Sequence, residues 1–230
     1  MTIRAAVLGA AGRMGSEAVK ALEAAEGIEF VAGVTEQDSL DSLLNGDGSA
    51  RVDVVVDFTV PSVTKQNVLW AVEHGIHCVV GATGWTDESR AEVREALEKA
   101  GGVGVLIAPN FAIGAVLAMT FARKAARFYE SAEIVELHHP NKVDAPSGTA
   151  VHTAAAIARG REEGELGAVP DATETDPKGA RGAEVDGIHV HAVRLRGLVA
   201  HEEILFGNAG EQFTIRHDSF ERQSFMPVSY

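Results

Sequence analysis

Along the first half of the chain, short apolar runs alternate with stretches whose apolar residues recur every three or four positions. Residues 3–8 are apolar apart from Arg4 and end at Gly9-Ala10-Ala11-Gly12-Arg13-Met14-Gly15. Residues 16–25 carry Val19 and Leu22 at helical spacing among Ala, Glu and Lys, and residues 28–34 are largely apolar again. Strand, glycine turn, helix and strand within about 30 residues describe a βαβ unit. Residues 40–51 read as a small helix or loop with a turn at Asn45-Gly46-Asp47-Gly48. Residues 52–58 are nearly continuous in β-branched side chains, as in a strand buried on both faces of a parallel sheet. A helix opened by Pro61 runs to about residue 74, and a strand follows at 76–80. Thr86 caps a helix to Ala100 with Asp87 and Glu88 in its first turn, and a fifth strand covers 104–108. The alternation predicts a doubly wound parallel sheet.

The rhythm changes at Pro109-Asn110-Phe111. Residues 114–129 form an amphipathic helical pattern, and an apolar run at Ile134 and Val135 leads to a histidine pair. Residues 150–158 read as a helix, and 160–187 as a polar excursion or lid. Three runs at 188–195, 199–206 and 211–216, joined by short turns, predict an antiparallel meander. The expected architecture is α/β: a Rossmann-type doubly wound parallel sheet plus a second α+β domain with a mixed or antiparallel sheet. The first domain takes residues 1–107 and the tail 217–230; the second, for substrate binding and oligomerisation, takes 108–216. No internal repeat is evident.

Composition narrows the partners. The 230 residues include 20 basic and 33 acidic side chains, a net charge of −13, which argues against nucleic acid or an anionic membrane as main partner. An anionic small substrate then needs a local basic pocket. The lone cysteine, Cys78, sits in the apolar run 76–80, so no disulfide forms within the chain. A buried strand residue is the better reading of it than a reactive thiol. With no secretory pattern and no apolar run of about 20 residues, a cytoplasmic protein is expected.

The densest chemistry lies in Glu136-Leu137-His138-His139-Pro140-Asn141-Lys142-Val143-Asp144-Ala145-Pro146-Ser147-Gly148-Thr149. A strand would deliver the imidazoles to its end, and Ser147 to Thr149 would open a helix, where free N–H groups and the macrodipole favour anions. No further ligand stands at metal spacing, so acid–base work or carboxylate binding is preferred to a metal site. Lys142 is close enough in sequence to share a substrate with either imidazole. His189 and His191 alternate along a strand and suit a structural or interface role.

The glycine turn at 9–15 favours a dinucleotide, since glycines admit a tight turn and a close approach of backbone to pyrophosphate. Gly9, Ala10, Ala11, Gly12, Arg13 and Met14 are the expected cofactor segment. After the second strand comes an acid, Glu36, with Asp38 behind it, to grip ribose hydroxyls. An acid there leans to NADH over NADPH while leaving both open. Gly81-Ala82-Thr83 and Ala108-Pro109-Asn110-Phe111 follow further strands at the edge where such sheets bind ligands.

Glu136-x-His138-His139-x-x-Lys142-x-Asp144-x-Pro146-Ser147-Gly148-Thr149-Ala150 resembles the signature of the dihydrodipicolinate reductase family. The glycine turn, Val56-Asp57-Phe58-Thr59, Gly81-x-Thr83-Gly84 and Ala108 to Phe111 fall where that family has its cofactor segments. Arg181-Gly182, Val193-Arg194, Gly197 and His201-Glu202 resemble its second-domain strands. The resemblance covers nearly the whole chain. It implies hydride transfer from NADH or NADPH to a cyclic dicarboxylate, giving tetrahydrodipicolinate on the diaminopimelate route to lysine. It implies His138 as the acid–base residue, Lys142 as a proton donor, and His139, Gly148 and Thr149 on the substrate carboxylates. It also implies a homotetramer built through the second domain's sheet. Two departures stand out: Ala82 in the middle of a Gly-Thr-Thr-Gly turn, and an end at Tyr230 where family chains continue into a helix. The rival readings are another dehydrogenase with an appended domain, or a non-catalytic nucleotide-binding protein.

Overall fold

Five parallel strands, β1 (Ile3–Leu8), β2 (Ile28–Val34), β3 (Val54–Asp57), β4 (His77–Val80) and β5 (Val105–Ile107), lie in the order β2-β1-β3-β4-β5. In the computed structural model, residues 2–108, 110–221 and 224–225 are described. The chain divides into two units, residues 1–111 with 225–230 and residues 112–224.

In the first unit the sheet is covered by helices α1 (Arg13–Ala24), α2 (Pro61–Glu73) and α3 (Asp87–Ala100). Ala5, Ala6, Val7 and Leu8 of β1 and Val55 and Val56 of β3 are buried, so both strands are hidden on both faces there, as the β-branched run of β3 predicted. Thr86 and Ser89 cap each other at the start of α3. Cys78 is buried on β4, and burial pushes its thiol up to about 12. It is a core residue with no reactive thiolate.

The second unit is built from α4 (Ile113–Ala125), β6 (Ser131–His138), α5 (Gly148–Glu163), β7 (Ala183–Val185), β8 (Ile188–Arg194), β9 (Ala200–Asn208) and β10 (Glu211–Ser219). Its sheet runs β10-β9-β6-β8-β7. Ala118, Ala122 and Ala126 of the α4 region meet Ala150, Ala154 and Ile157 of α5 over Ile134, Ile188, Val190, Ile204 and Phe206 of the strands.

Three expectations need correction. The last strands are not a simple meander: β6 lies between β9 and β8, antiparallel to one and parallel to the other. With Ala132, Ile134 and Glu136 all buried, β6 is a central strand that needs hydrogen-bonding partners on both edges. The polar excursion is shorter than its glycines suggested, because α5 continues to Glu163. Gly160 belongs to that helix, where a Cβ would lie 2.1 Å from the Arg123 carbonyl of α4. What remains of the excursion is tied down: Asp176 accepts the Ala180 and Arg181 N–H groups, and Arg181 pairs with Asp171 and Glu133. Finally, the tail does not leave the second unit at residue 217, since β10 pairs with β9 through Ser219. The contact boundary falls at 111/112 where 107/108 was expected.

Candidate active site

In the first unit, the strand order turns back between β1 and β3, and ligands of such sheets bind where the carboxyl ends diverge. Gly9 follows β1 at φ +78°, and a Cβ on it would sit 2.9 Å from the Phe58 carbonyl after β3. At Gly15 a Cβ would come within 2.0 Å of the Gly9 carbonyl. The turn closes through Gly9 and Ala10 N–H groups on the Val34 carbonyl and the Gly12 N–H on the Gly9 carbonyl. Gly12 caps α1 with no side chain, leaving the first N–H groups of that helix open to an anion. Ala10 and Met14 are half-buried against the core, and Ala11, Gly12 and Arg13 are exposed.

A cleft of about 780 Å³ opens beside this turn, lined by Gly9, Ala11, Gly12, Glu36, Phe58 and Asn67 among others. The two acids after β2 separate here. Asp38 accepts the Thr35 N–H at 2.8 Å and the Thr35 hydroxyl at 2.6 Å, so it builds the loop. Glu36 is exposed in the cleft with no side-chain hydrogen bond among the described residues. Asp57, fully buried, braces the far wall by accepting Thr59 N–H and hydroxyl, the Thr64 hydroxyl and the Asn67 amide. Glycines that a Cβ would close, a helix N-terminus and an exposed acid after β2 fit a dinucleotide.

The other expected cofactor residues lie further along the sheet edge and do not line that cleft. Gly81 follows β4, where a Cβ would lie 2.3 Å from the Phe58 ring and 2.8 Å from Phe111. Its absence lets Phe58 and Phe111 pack at 5.3 Å between centroids. Ala82 is buried and its carbonyl accepts the Trp85 indole N–H at 3.1 Å, while Thr83 is exposed. Ala108 extends β5 by donating to Val80, Asn110 is half-buried, and Pro109 lies outside the described residues.

In the second unit, β6 ends at His138, so His138 and His139 are not constrained to opposite faces of a strand. Glu136, fully buried, is the hub. Its Oε2 faces His138 Nδ1 at 2.5 Å and accepts from Arg194 at 2.7 Å; its Oε1 accepts from Arg194 at 2.8 Å and from the Ser147 N–H at 3.1 Å. Burial opposes ionisation of Glu136, but the bonds from His138 and Arg194 outweigh it and hold the carboxyl down at about 2. Arg194 also donates to the Asp144 carbonyl at 2.8 Å, stitching the loop to the strand.

On that loop Lys142 donates to Asp144 at 2.7 Å and its N–H reaches the His139 carbonyl. Burial would raise the Asp144 carboxyl, but the Lys142 ammonium lowers it overall. Ser147 then caps α5, its hydroxyl accepting the Ala150 N–H at 3.2 Å. Gly148 and Thr149 form the first turn of this helix, 16 residues long. The segment thus gathers His138, His139, Lys142, Gly148 and Thr149 at one end of the sheet. Among the described residues no group of three or more His, Cys, Asp or Glu is placed to hold a metal ion.

The roles of Glu136 and Arg194 were missing from the sequence reading. One signal was available: Ala132, Ile134 and Glu136 alternate onto the same face, and a carboxylate on a core-facing position demands a partner. His189 and His191 pair with Asp171 and Glu133 on the opposite face of the sheet.

The comparisons agree with both halves. Residues 3–111 match the family model described as dihydrodipicolinate reductase, N-terminus, and residues 114–228 match its C-terminus. A protein of Beutenbergia cavernae named 4-hydroxy-tetrahydrodipicolinate reductase is 58% identical over 99% of this chain and 90% of its own. One of the same name from Streptomyces griseus is 56% identical over 98% of this chain and 88% of its own. Among solved structures, dipicolinate-bound dihydrodipicolinate reductase from Paenisporosarcina sp. TG-14 superposes with a TM-score of 0.83 at 39% identity, covering 99% of this chain and 92% of that one. A putative myo-inositol dehydrogenase from Sinorhizobium meliloti, at 14% identity and a TM-score of 0.65 over 99% of this chain and 86% of its own, shares the fold alone. The chain belongs to the dihydrodipicolinate reductase family.

Proposed function

We propose that this chain reduces 4-hydroxy-tetrahydrodipicolinate with NADH or NADPH, and that the division of labour runs between its two units. The observation carrying the reading is that one buried carboxylate, that of Glu136, fixes His138, Arg194 and the Ser147 end of α5 together. The solved relative from Paenisporosarcina binds dipicolinate, a ring bearing two carboxylates. A dicarboxylate suits an imidazole, an ammonium and a helix N-terminus presented side by side.

The bound nicotinamide supplies the hydride. In the first unit Gly9, Ala10, Ala11, Gly12, Arg13 and Met14 would hold the pyrophosphate at the open N–H groups of α1, and Glu36 would take the ribose hydroxyls. Gly81, Ala82, Thr83 and the 108–111 segment line the remainder of the cofactor path. In the second unit Gly148 and Thr149 bind a substrate carboxylate through N–H groups and hydroxyl, with His139 beside them. Replacing a hydroxyl by hydride with release of water takes up one proton. His138 and Lys142 supply and relay it, His138 as the acid–base residue held in place by Glu136. Asp144 holds Lys142 in place.

The net charge of −13 and the absence of a long apolar helix among the described residues favour a cytoplasmic enzyme without nucleic-acid or membrane partners. Assembly as a homotetramer through the second unit's sheet is part of the same proposal. Supplying the purified protein with the condensation product of pyruvate and aspartate semialdehyde and following NADH absorbance tests the activity. No substrate-dependent oxidation of either cofactor would reject it.

A further inference from the structure

The helix-covered face of the second sheet is apolar along most of its length and polar at one end. Along β6 and β9, Ile134 pairs with Ile204, and the next inward pair is Glu136 with Glu202. β10 sets His217 across from Glu202 on its other side. Glu202 is only 5% exposed. Its Oε2 lies 2.9 Å from the Thr153 hydroxyl of α5, and its Oε1 has no hydrogen-bond partner among the described residues.

Two buried carboxyls facing each other do not both ionise readily. Glu136 keeps the charge, because Arg194, His138 and the Ser147 N–H surround it. Among the described residues nothing comparable faces Glu202. β6 presents the Glu136 anion, α5 a hydroxyl, and β10 the His217 imidazole, which burial holds toward its neutral form. α4 meets His217 through Gly114 in its first turn and carries its cations, Arg123 and Lys124, in its last.

The proton inventory points the same way. Thr153 Oγ1 is 3.0 Å from the Thr149 carbonyl as well as 2.9 Å from Glu202. Two such contacts need two protons, and a hydroxyl owns one. A carboxylic acid at Glu202 supplies the second.

We propose that Glu202 is a positioning residue that works as a neutral acid: it donates to Thr153, which donates to the Thr149 carbonyl, steadying the first turn of α5. The proposal rests on the reading that this turn takes the substrate carboxylate. Burial lifts the Glu202 carboxyl to about 7, the Thr153 hydroxyl opposing and the Glu136 charge assisting, so the proton is in play near neutral pH. Ionisation would set a second buried anion beside Glu136 and leave the contact to Thr149 without its proton.

The test compares wild type with Glu202→Gln, whose amide is neutral at every pH and still donates to Thr153. The expected result is a wild-type KM for substrate that rises at least fivefold between pH 6.5 and 8.5 through one ionisation, and no such step in the variant. Without ligand, Glu202→Gln should melt higher than wild type at pH 8.5 and the difference should shrink toward pH 5. An equal KM step in both enzymes, or a variant that melts lower at pH 8.5, overturns the proposal. A Thr149→Ala variant that binds dipicolinate as tightly as wild type would instead reject the carboxylate reading beneath it; the melting comparison still reports where the proton sits.

Discussion

Glu136 Oε2 lies 2.5 Å from Nδ1 of His138, two residues further along β6 and on the same face of the sheet. The same carboxylate takes both Arg194 nitrogens and the N–H that opens α5. Strand, loop and helix are therefore registered against one buried charge. A displacement at Glu136 would move the imidazole and the helix N-terminus together.

Glu136→Gln should therefore damage chemistry and stability at once. Loss of the carboxylate that positions the His138 imidazole should lower kcat by roughly 10²-fold or more, within the range general acid–base catalysis supplies. Arg194 would lose its counter-charge, and breaking a buried pair on one side costs about 3 kcal/mol. Steady-state kinetics and urea unfolding read the two effects separately. A stable, fully active variant would dismiss Glu136 as the hub.

Lys142→Ala should leave the fold and the cofactor cleft alone, because among the described residues the Lys142 side chain pairs with the half-exposed Asp144 alone. Turnover should fall by about 10²-fold or more, the scale of a lost proton donor. Dissociation constants for NADH, from fluorescence titration, should stay within about twofold of wild type, a free-energy change near 0.4 kcal/mol. Unchanged turnover would remove Lys142 from the mechanism.

Much of this was legible in the chain because local rules govern it. The glycine turn, the β-branched run of β3, the Thr86 cap and the Ser147 helix start each depend on a few neighbouring residues. What escaped depends on pairing at a distance. That β6 sits between β8 and β9 follows from burial of three of its side chains, and turn lengths alone suggested a meander. Gly160 reads as a breaker until α4 lies 2.1 Å from where its Cβ would be. Arg194 is 58 residues from Glu136, and Glu202 becomes chemically unusual only when register sets it across from that carboxylate.

At the cofactor cleft, the sequence favours Glu36 for the ribose with Asp38 behind it, and the fold separates the two. Asp38 is engaged by Thr35, whereas Glu36 stands open in the cleft. Glu36→Ala should weaken NADH binding about tenfold, near 1.4 kcal/mol for lost bonds to a charged acceptor. It should also shift the KM ratio toward NADPH by removing a charge that repels a 2′-phosphate. Asp38→Ala should leave that ratio nearly unchanged and lower the melting temperature. The reverse pattern would reassign the ribose contact.

The paired acids Glu136 and Glu202 should give the protein a pH–stability profile with two separable arms. Glu136 is held at about 2 against an ordinary 4.5, so its contribution is complete above 4.5 and is lost as pH falls through 2. That depression corresponds to about 3 kcal/mol over the interval. Glu202 runs the other way. Raised to about 7, it stabilises fully below 4.5, and that contribution is lost as pH rises through 7. Between 4.5 and 7 the folded state binds the extra proton, so stability declines across this window. Glu136→Gln should flatten the acid arm and Glu202→Gln the neutral one. Melting temperatures of the single variants from pH 3 to 9 separate the arms, and an acid arm that survives in Glu136→Gln would place that proton on another carboxylate.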